Sequence, residues 1–165
     1  MEDNISINNE ANYDERSAGG LVFKNEDGKV LWLLIKTGSR KRTSKEIWIY
    51  KFPKGHIQKR EFLKQAALRE VEEEGRVKAR IVDKIGSNNY IIYDSLNKKR
   101  IVKKVTFFLM EYVGESSVRY FDKEGVMGRE WMSFEQAKDR LAYDSEKTLL
   151  GKARNKLEEI LKRKK

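Results

Sequence analysis

Apolar residues fall in short runs along the chain, separated by charged or turn-forming residues. In the first half, three runs have the length and the β-branched or aromatic content typical of strands: residues 21–24, 30–36 and 47–52. Pro53 ends the third run, because proline cannot donate a hydrogen bond to a sheet ladder. Further strands are predicted within residues 79–93 and 101–113, and a short one around Trp131.

A helical spacing follows the third run. Leu63, Ala67 and Val71 recur at intervals of four residues, which gives residues 62–74 one apolar face. None of the residues at positions 61–63 is a Ser, Thr, Asp or Asn that could cap the first turn. The sequence therefore predicts a helix here without a side-chain cap at its start.

Two more helices are predicted towards the C-terminal end. Ser133 and Gln136 have the spacing of a capping box, which opens a helix over residues 134–142. Asp144 or Ser145 is expected to cap a last helix. The apolar stripe of this helix consists of Leu149, Leu150, Ala153, Leu157, Ile160 and Leu161.

These elements predict an α/β (α+β) fold in which a mixed β-sheet is sandwiched between helices. The chain of 165 residues suits one compact domain, expected to cover residues 17–165. Residues 1–16, polar and rich in Asn and Glu, are expected to form a flexible tail.

Composition excludes several classes of site. The chain has no cysteine and one histidine, so disulfides, thiolate metal sites and His-rich zinc sites are ruled out. No stretch approaches the roughly 18 consecutive apolar residues that span a bilayer, so no membrane partner is expected. The acidic N-terminus lacks the features of a secretory signal, and we expect a cytoplasmic protein.

The net charge of +10 is unevenly distributed. Residues 36–64 carry ten Lys or Arg against two Glu, and residues 70–74 then contain four glutamates and no base. A basic zone beside a dense acidic cluster suits a polyanionic substrate met by metal ions. Taken alone, however, the charges favour a highly soluble surface over a substrate site.

The acidic cluster lies on the helix predicted over residues 62–74. Glu70, Glu73 and Glu74 stand at i, i+3 and i+4, which places their side chains on one helical face. Carboxylates this close repel one another, and a divalent cation turns the repulsion into coordination. Ligand sets made only of oxygen favour Mg²⁺ or Mn²⁺. Taken alone, however, a Glu-rich face is most often simply solvated.

The wider spacing is more specific. Residues 55–77 resemble the Nudix box, whose pattern is a Gly, five residues, a Glu, seven residues, then Arg-Glu-aliphatic-any-Glu-Glu-any-Gly-aliphatic. Eight of its nine fixed positions match: Gly55, Glu61, Arg69, Glu70, Val71, Glu73, Glu74 and Val77. The ninth, a late glycine, is Arg76 here, and Gly75 comes one residue earlier. We expect the helix either to stop one residue sooner or to strain its final turn.

The resemblance implies a Nudix fold and a set of roles. The glutamates at positions 70, 73 and 74 would bind the metal ions, helped by the carbonyl of Gly55. Glu61 and Arg69 would brace the loop against the helix, often as an ion pair. The general base would be a glutamate of the box or one from a later loop, such as Glu124.

Other segments resemble diadenosine tetraphosphate hydrolases and their diphosphoinositol-polyphosphate-cleaving relatives. By that resemblance Lys54, in the segment FPKGH, would contact phosphate, with Tyr50 near it. Tyr143 would line the base-binding side, although a half-buried aromatic at a helix junction would look the same. Lys103 would reach a distal phosphate, unless it is simply a charge on an edge strand.

The leading hypothesis is therefore an Mg²⁺- or Mn²⁺-dependent hydrolase of a nucleoside polyphosphate, such as diadenosine tetraphosphate. One alternative is removal of pyrophosphate from the 5′ end of RNA, which the positive net charge favours but no stacked-aromatic RNA module supports. A second alternative is a Nudix-fold module that binds a nucleotide without turnover. Such modules usually lose acids of the box, and this chain keeps them all.

Overall fold

The computed structural model describes residues 14–38, 48–117 and 125–164. Its strands are β1 (Glu15–Glu26), β2 (Lys29–Gly38), β3 (Trp48–Lys51), β4 (Lys54–His56), β5 (Val77–Asp94), β6 (Lys99–Glu115) and β7 (Val126–Met132). Its helices are α1 (Leu63–Gly75), α2 (Phe134–Arg140) and α3 (Asp144–Arg163). Glu124, the alternative base, lies outside the described residues, as do positions 1–13 of the predicted tail.

The seven strands of the described residues form one sheet. Five of them lie in the order β3-β2-β1-β6-β5, while β4 also pairs with β1 and β7 with β2. β1 and β6 run parallel, and every other pair is antiparallel. The predicted mixed sheet is therefore confirmed.

Each face of the sheet carries its own apolar core, because side chains along a strand alternate between the two faces. Leu21 of β1 and Leu34 of β2 face α2 and α3, and they pack with Leu149, Leu150 and other residues of the α3 stripe. The side chains that alternate with these along β1 and β2 face α1. Val22 and Leu33 pack there with Ala66, Ala67 and Val71. The helices thus cover both faces, as the fold prediction requires.

The helix starts partly match their predictions. Ser133 caps α2 and accepts a hydrogen bond from the amide of Gln136 at 3.2 Å. The cap predicted for α3 is wrong: its N-cap is Tyr143, and Asp144 is already helical. The carbonyl of Tyr143 accepts the first backbone bonds of this helix, so the acids of its first turn act on the helix dipole instead of capping.

The start of the domain also differs from its prediction. β1 begins at Glu15, so Glu15 and Arg16 belong to the sheet and not to a tail. Asp14 is fixed as well, because its amide donates to the carbonyl of Val102 at 3.0 Å and its carboxylate accepts from the amide of Val102 at 2.9 Å. Among the described residues, no helix has the length and apolar character needed to cross a membrane.

Candidate active site

The acidic helix α1 forms one wall of the site. Its first turn is held by the side chain of Gln65, whose Oε1 accepts from the amide of Phe62 at 3.0 Å. The buried residues Ala66, Ala67 and Val71 anchor the helix against the sheet. Since the helix is fixed on that side, the direction of its glutamates is fixed as well.

Glu70 lies against the short strand β4. Its carboxylate occupies the space in front of Gly55, where an added Cβ would stand 2.1 Å from the Glu70 Cδ. The Glu70 side chain is only 2% exposed. Only a glycine can therefore occupy position 55 while Glu70 keeps this place.

Glu74 contacts the same strand, β4, at Lys54, the residue before Gly55. Its Oε1 accepts a hydrogen bond from the backbone amide of Lys54 at 3.0 Å, and its side chain is 3% exposed. α1 is thus joined to β4 by two carboxylates one helical turn apart. Because both are buried, they depend on polar partners or a cation for their stability.

Arg69 organises the remaining acids. Its Nε and one terminal nitrogen bind the two oxygens of Glu61 at 2.7 and 2.9 Å, and its other terminal nitrogen contacts Glu70 at 2.8 Å and Glu73 at 3.2 Å. It also donates to the carbonyl of His56 at 2.9 Å. The hydrogen bond with Glu61 raises the pKa of the guanidinium above its ordinary value, so Arg69 stays charged.

The donor set fits a hard divalent cation, although the described residues bring no three acidic, His or Cys side chains together in a metal-holding cluster. The oxygens of Glu70, Glu74 and the Gly55 backbone come from neighbouring positions, and Mg²⁺ prefers such ligands. The guanidinium of Arg69 now supplies the positive charge between Glu70 and Glu73.

A cavity of about 460 Å³ opens beside Lys54. Among the residues that line it are Lys54, Tyr90, Lys103 and Tyr143. The Lys54 ammonium lies 5.3 Å from the centre of the Tyr90 ring and 6.0 Å from that of Tyr143. Three of the predicted substrate-binding residues therefore meet at one cavity, together with a tyrosine that the sequence did not single out.

Two details of the substrate-binding predictions differ. Lys103 is not on an edge strand, because β6 lies between β1 and β5. Tyr50 is not among the residues that line the cavity: its ring centre lies 5.7 Å from the guanidinium of Arg140, and its hydroxyl is hydrogen-bonded to Glu130. That hydrogen bond is the main reason why the pKa of Tyr50 is raised.

The end of α1 shows how the box departs from its pattern. The helix includes Gly75, where a Cβ would meet Leu33 at 2.9 Å, and Arg76 adopts the left-handed conformation with φ 55°. Of the two alternatives, the helix therefore strains its final turn. Arg129 satisfies the helix end by donating to the carbonyls of Gly75 at 2.8 Å and Arg76 at 3.2 Å.

Sequence reasoning missed Glu146, a fully buried acid on the first turn of α3. Its Oε1 accepts from the amide of Phe52 at 2.7 Å. Burial raises the pKa of its carboxyl above the ordinary value, against the hydrogen bond from Phe52 and the charges of Lys54 and Lys51. The signal was present in the sequence, since Glu146 extends the apolar stripe of α3 by one turn and is thus a charge at a core position.

The NUDIX domain profile matches residues 14–150. The chain belongs to the Nudix family. The resemblance read from residues 55–77 is thereby confirmed, and residues 55–77 are its Nudix box. Nudix hydrolases act on pyrophosphate bonds of nucleotide substrates and generally use a divalent metal such as Mg²⁺.

Comparison with individual proteins, by sequence and by structure, supports the same family assignment. The mutator protein MutT4 of Mycobacterium tuberculosis (strain CDC 1551 / Oshkosh) is 31% identical over 137 residues, which make up 82% of this Nudix chain and 52% of the relative. The chain thus spans about half the length of the curated relative that it matches.

Two solved structures share the fold. The Ap4A hydrolase of C. elegans superposes with a TM-score of 0.60 at 21% identity, covering 87% of this Nudix chain and 98% of that protein. The NUDIX domain of Shewanella oneidensis NrtR, complexed with ADP ribose, has a TM-score of 0.59 at 17% identity, with 89% and 95% covered.

Proposed function

We propose that this protein is an Mg²⁺- or Mn²⁺-dependent hydrolase that cleaves a diphosphate linkage in a nucleoside polyphosphate, with a dinucleoside polyphosphate such as diadenosine tetraphosphate as its preferred substrate. The position of Lys54 carries the proposal. Its backbone amide is bonded to Glu74 of the Nudix box, and its ammonium lies at the two tyrosines of the cavity. Lys54 thus connects the acidic residues of the Nudix box with the aromatic residues of the cavity.

This arrangement suits the parts of such a substrate. The rings of Tyr90 and Tyr143 offer surfaces for a nucleobase, and the exposed fraction of Tyr143 is 43%. Lys54 and Lys103 supply positive charge for the phosphate chain where it leaves the base. The phosphate chain of the substrate would then run towards the carboxylates of Glu70, Glu73 and Glu74.

The box residues would hold the metal and orient the phosphates. Glu70, Glu73, Glu74 and the carbonyl of Gly55 would be the ligands, and the bound ion would neutralise the charge that develops on phosphate oxygens. Arg69 holds Glu70 and Glu73 and is itself held by Glu61. The general base would be a glutamate of the box or Glu124, which lies outside the described residues.

Separation of the reaction products by ion-exchange chromatography tests the proposal, because hydrolysis of diadenosine tetraphosphate yields nucleotides and no inorganic phosphate. Purified protein with Mg²⁺ is given diadenosine tetraphosphate, 5′-triphosphorylated RNA, ADP-ribose and a diphosphoinositol polyphosphate. We expect turnover of diadenosine tetraphosphate that needs metal and falls by orders of magnitude in Glu73→Gln. Glu72→Gln is the matched control, because Glu72 lies outside the fixed positions of the box and binds Ser116. Equal activity of both variants would contradict the proposal.

The 5′-RNA alternative has one supporting observation. Ile91 of the β5–β6 hairpin lines the cavity and is 61% exposed, and Tyr93, two residues later, is 63% exposed. The basic residues 98–100 at the turn are also exposed. An aromatic and basic surface of this kind suits a longer single strand. Cleavage of the triphosphorylated RNA, with a steep dependence on salt, would favour this alternative.

A binding module without turnover is the third possibility. The NUDIX domain of NrtR, a structure with ADP ribose, shares the fold. Tight nucleotide binding without hydrolysis of any substrate in the panel would favour such a module. The expected location in the cytoplasm stays a prediction.

A further inference from the structure

Two carboxylates from different helices hold one short segment of backbone. The amide of Phe52 donates to Glu146 of α3 at 2.7 Å, and the amide of Lys54 donates to Glu74 of α1 at 3.0 Å. Pro53 between them has no N–H, and its carbonyl accepts from the amide of Gly20 at 3.1 Å. Residues 52–54 are thus fixed at three successive positions by three elements of the fold.

Glu146 is buried at a cost. Its side chain is 0% exposed, and its Oε2 makes no hydrogen bond within the described part of the chain. A buried carboxyl oxygen without a hydrogen-bond partner is unfavourable. The hydrogen bond from the Phe52 amide to the other oxygen, Oε1, is therefore the contact that stabilises the Glu146 side chain in this position. Full burial also separates Glu146 from the cavity, which excludes direct contact with substrate.

The segment that Glu146 holds leads directly into the site. Lys54 places its ammonium at the cavity, and Gly55 next to it faces the carboxylate of Glu70. The ring of Phe52 is buried against the ring of Phe107, with 6.5 Å between the centroids. This packing holds the start of the segment in place on the α3 side of the sheet. A shift of the Phe52 amide would therefore move the two residues that follow Pro53.

We propose that Glu146 is a positioning residue for the active site. It accepts the Phe52 amide and thereby sets the place of Lys54 and Gly55, while Glu74 fixes the same segment from the opposite side. This inference rests on the proposed function. The role needs a hydrogen-bond acceptor and not a charge, so a glutamine at position 146 can fulfil it.

Substitutions at position 146 separate positioning from simple loss of stability. We expect Glu146→Ala to lower kcat/KM for diadenosine tetraphosphate by roughly tenfold to a hundredfold, mostly through KM. Glu146→Gln should restore KM close to wild type. Leu157→Ala is the matched control, because Leu157 is a buried residue of the same helix that packs in the core. It should lower the melting temperature without changing KM.

A double-mutant cycle with Lys54→Ala tests whether Glu146 acts through that residue. The effect of Glu146→Ala on KM should be smaller when Lys54 is already removed, because the two changes disturb one contact with substrate. Additive effects would overturn the inference. So would a Leu157→Ala variant that raises KM as much as Glu146→Ala at equal loss of melting temperature.

The same variants remain informative if the proposed function fails. If wild-type protein turns over no substrate, the dissociation constant of ATP, measured by calorimetry, replaces KM. Weaker ATP binding in Glu146→Ala, restored in Glu146→Gln and absent in Leu157→Ala, would support the positioning role without enzymatic activity. Equal ATP affinity in all four proteins would overturn it.

Discussion

The carboxylate of Glu70 stands where a side chain on residue 55 would begin. An added Cβ on Gly55 would lie 2.1 Å from the Glu70 Cδ and 2.3 Å from its Oε1. No rotation of so buried a carboxylate relieves this contact while the carboxylate keeps its place, since Glu70 is only 2% exposed. The glycine of the Nudix box therefore makes room for Glu70.

Gly55→Ala should consequently displace Glu70 and weaken Mn²⁺ binding roughly 10- to 100-fold, as the loss of ligand support does elsewhere. Electron paramagnetic resonance of a Mn²⁺ titration measures the affinity. Gly128→Ala is the control, because a Cβ on Gly128 meets nothing within 4 Å. Unchanged Mn²⁺ affinity in Gly55→Ala would show that the contact with Glu70 is not part of the metal site.

Metal should also stabilise the folded protein through the acids that Arg69 now bridges. At about 100 times its dissociation constant, an ion that binds only the folded state adds about 2.7 kcal/mol to the free energy of unfolding. We expect Mg²⁺ or Mn²⁺ to raise the melting temperature of wild type and of Glu72→Gln, but much less that of Glu73→Gln. Removal of the metal with EDTA should reverse the change. An equal rise in all three would place the metal elsewhere.

Arg76→Gly should stabilise the protein. Arg76 has φ 55°, a conformation that costs a residue with a Cβ roughly 1–2 kcal/mol and glycine much less. Its backbone carbonyl keeps the bonds from Arg129 and Ser116 in either case. Urea denaturation should show a gain of about 1 kcal/mol. Lys78→Gly, at a position of strand β5 without positive φ, should instead lose about 0.5–1 kcal/mol, and a loss in both would refute the argument.

Glu146 should make stability depend on pH. Its pKa is raised above the ordinary value of 4.5, so the folded protein binds the proton more tightly than the unfolded chain. The resulting stabilisation is complete below the unfolded pKa and is lost as the pH rises through the folded pKa. Lys51 and Lys54 oppose this shift without cancelling it.

The matched variant for this effect is Glu146→Gln, which cannot titrate. The free energy of unfolding of wild type relative to Glu146→Gln should fall as the pH rises from the ordinary carboxyl pKa of 4.5 through the raised pKa of the folded protein. Urea denaturation across this range measures the difference. A constant difference would mean that the carboxyl titrates alike in the folded and unfolded states.

Much of the active site could be predicted because it lies on one continuous stretch. The spacing of Glu70, Glu73 and Glu74 is set by the helix itself, and the glycine at 55 is read directly from the box pattern. The apolar repeat of Leu63, Ala67 and Val71 likewise predicts α1, because local periodicity decides which face is buried.

What remained hidden depends on contacts between distant residues. Tyr90 joins the cavity because β5 places it beside Lys54, and no short-range pattern reports that meeting. Phe52 lies just beyond the end of β3, and its amide donates to Glu146, which is 94 residues later. The conformation of Arg76 was open for a similar reason, since its carbonyl accepts a hydrogen bond from Arg129, which is 53 residues later.

The parallel pairing of β1 with β6 has a consequence for synthesis of the chain. Asp14 and Val102, where this pairing begins, are 88 residues apart in sequence. While a ribosome is still making the intervening residues, β1 can pair with β2 and β4 but keeps its remaining edge open beside Leu21 and Phe23. A nascent chain should therefore stay prone to aggregation, and dependent on chaperones, until β6 has emerged from the exit tunnel.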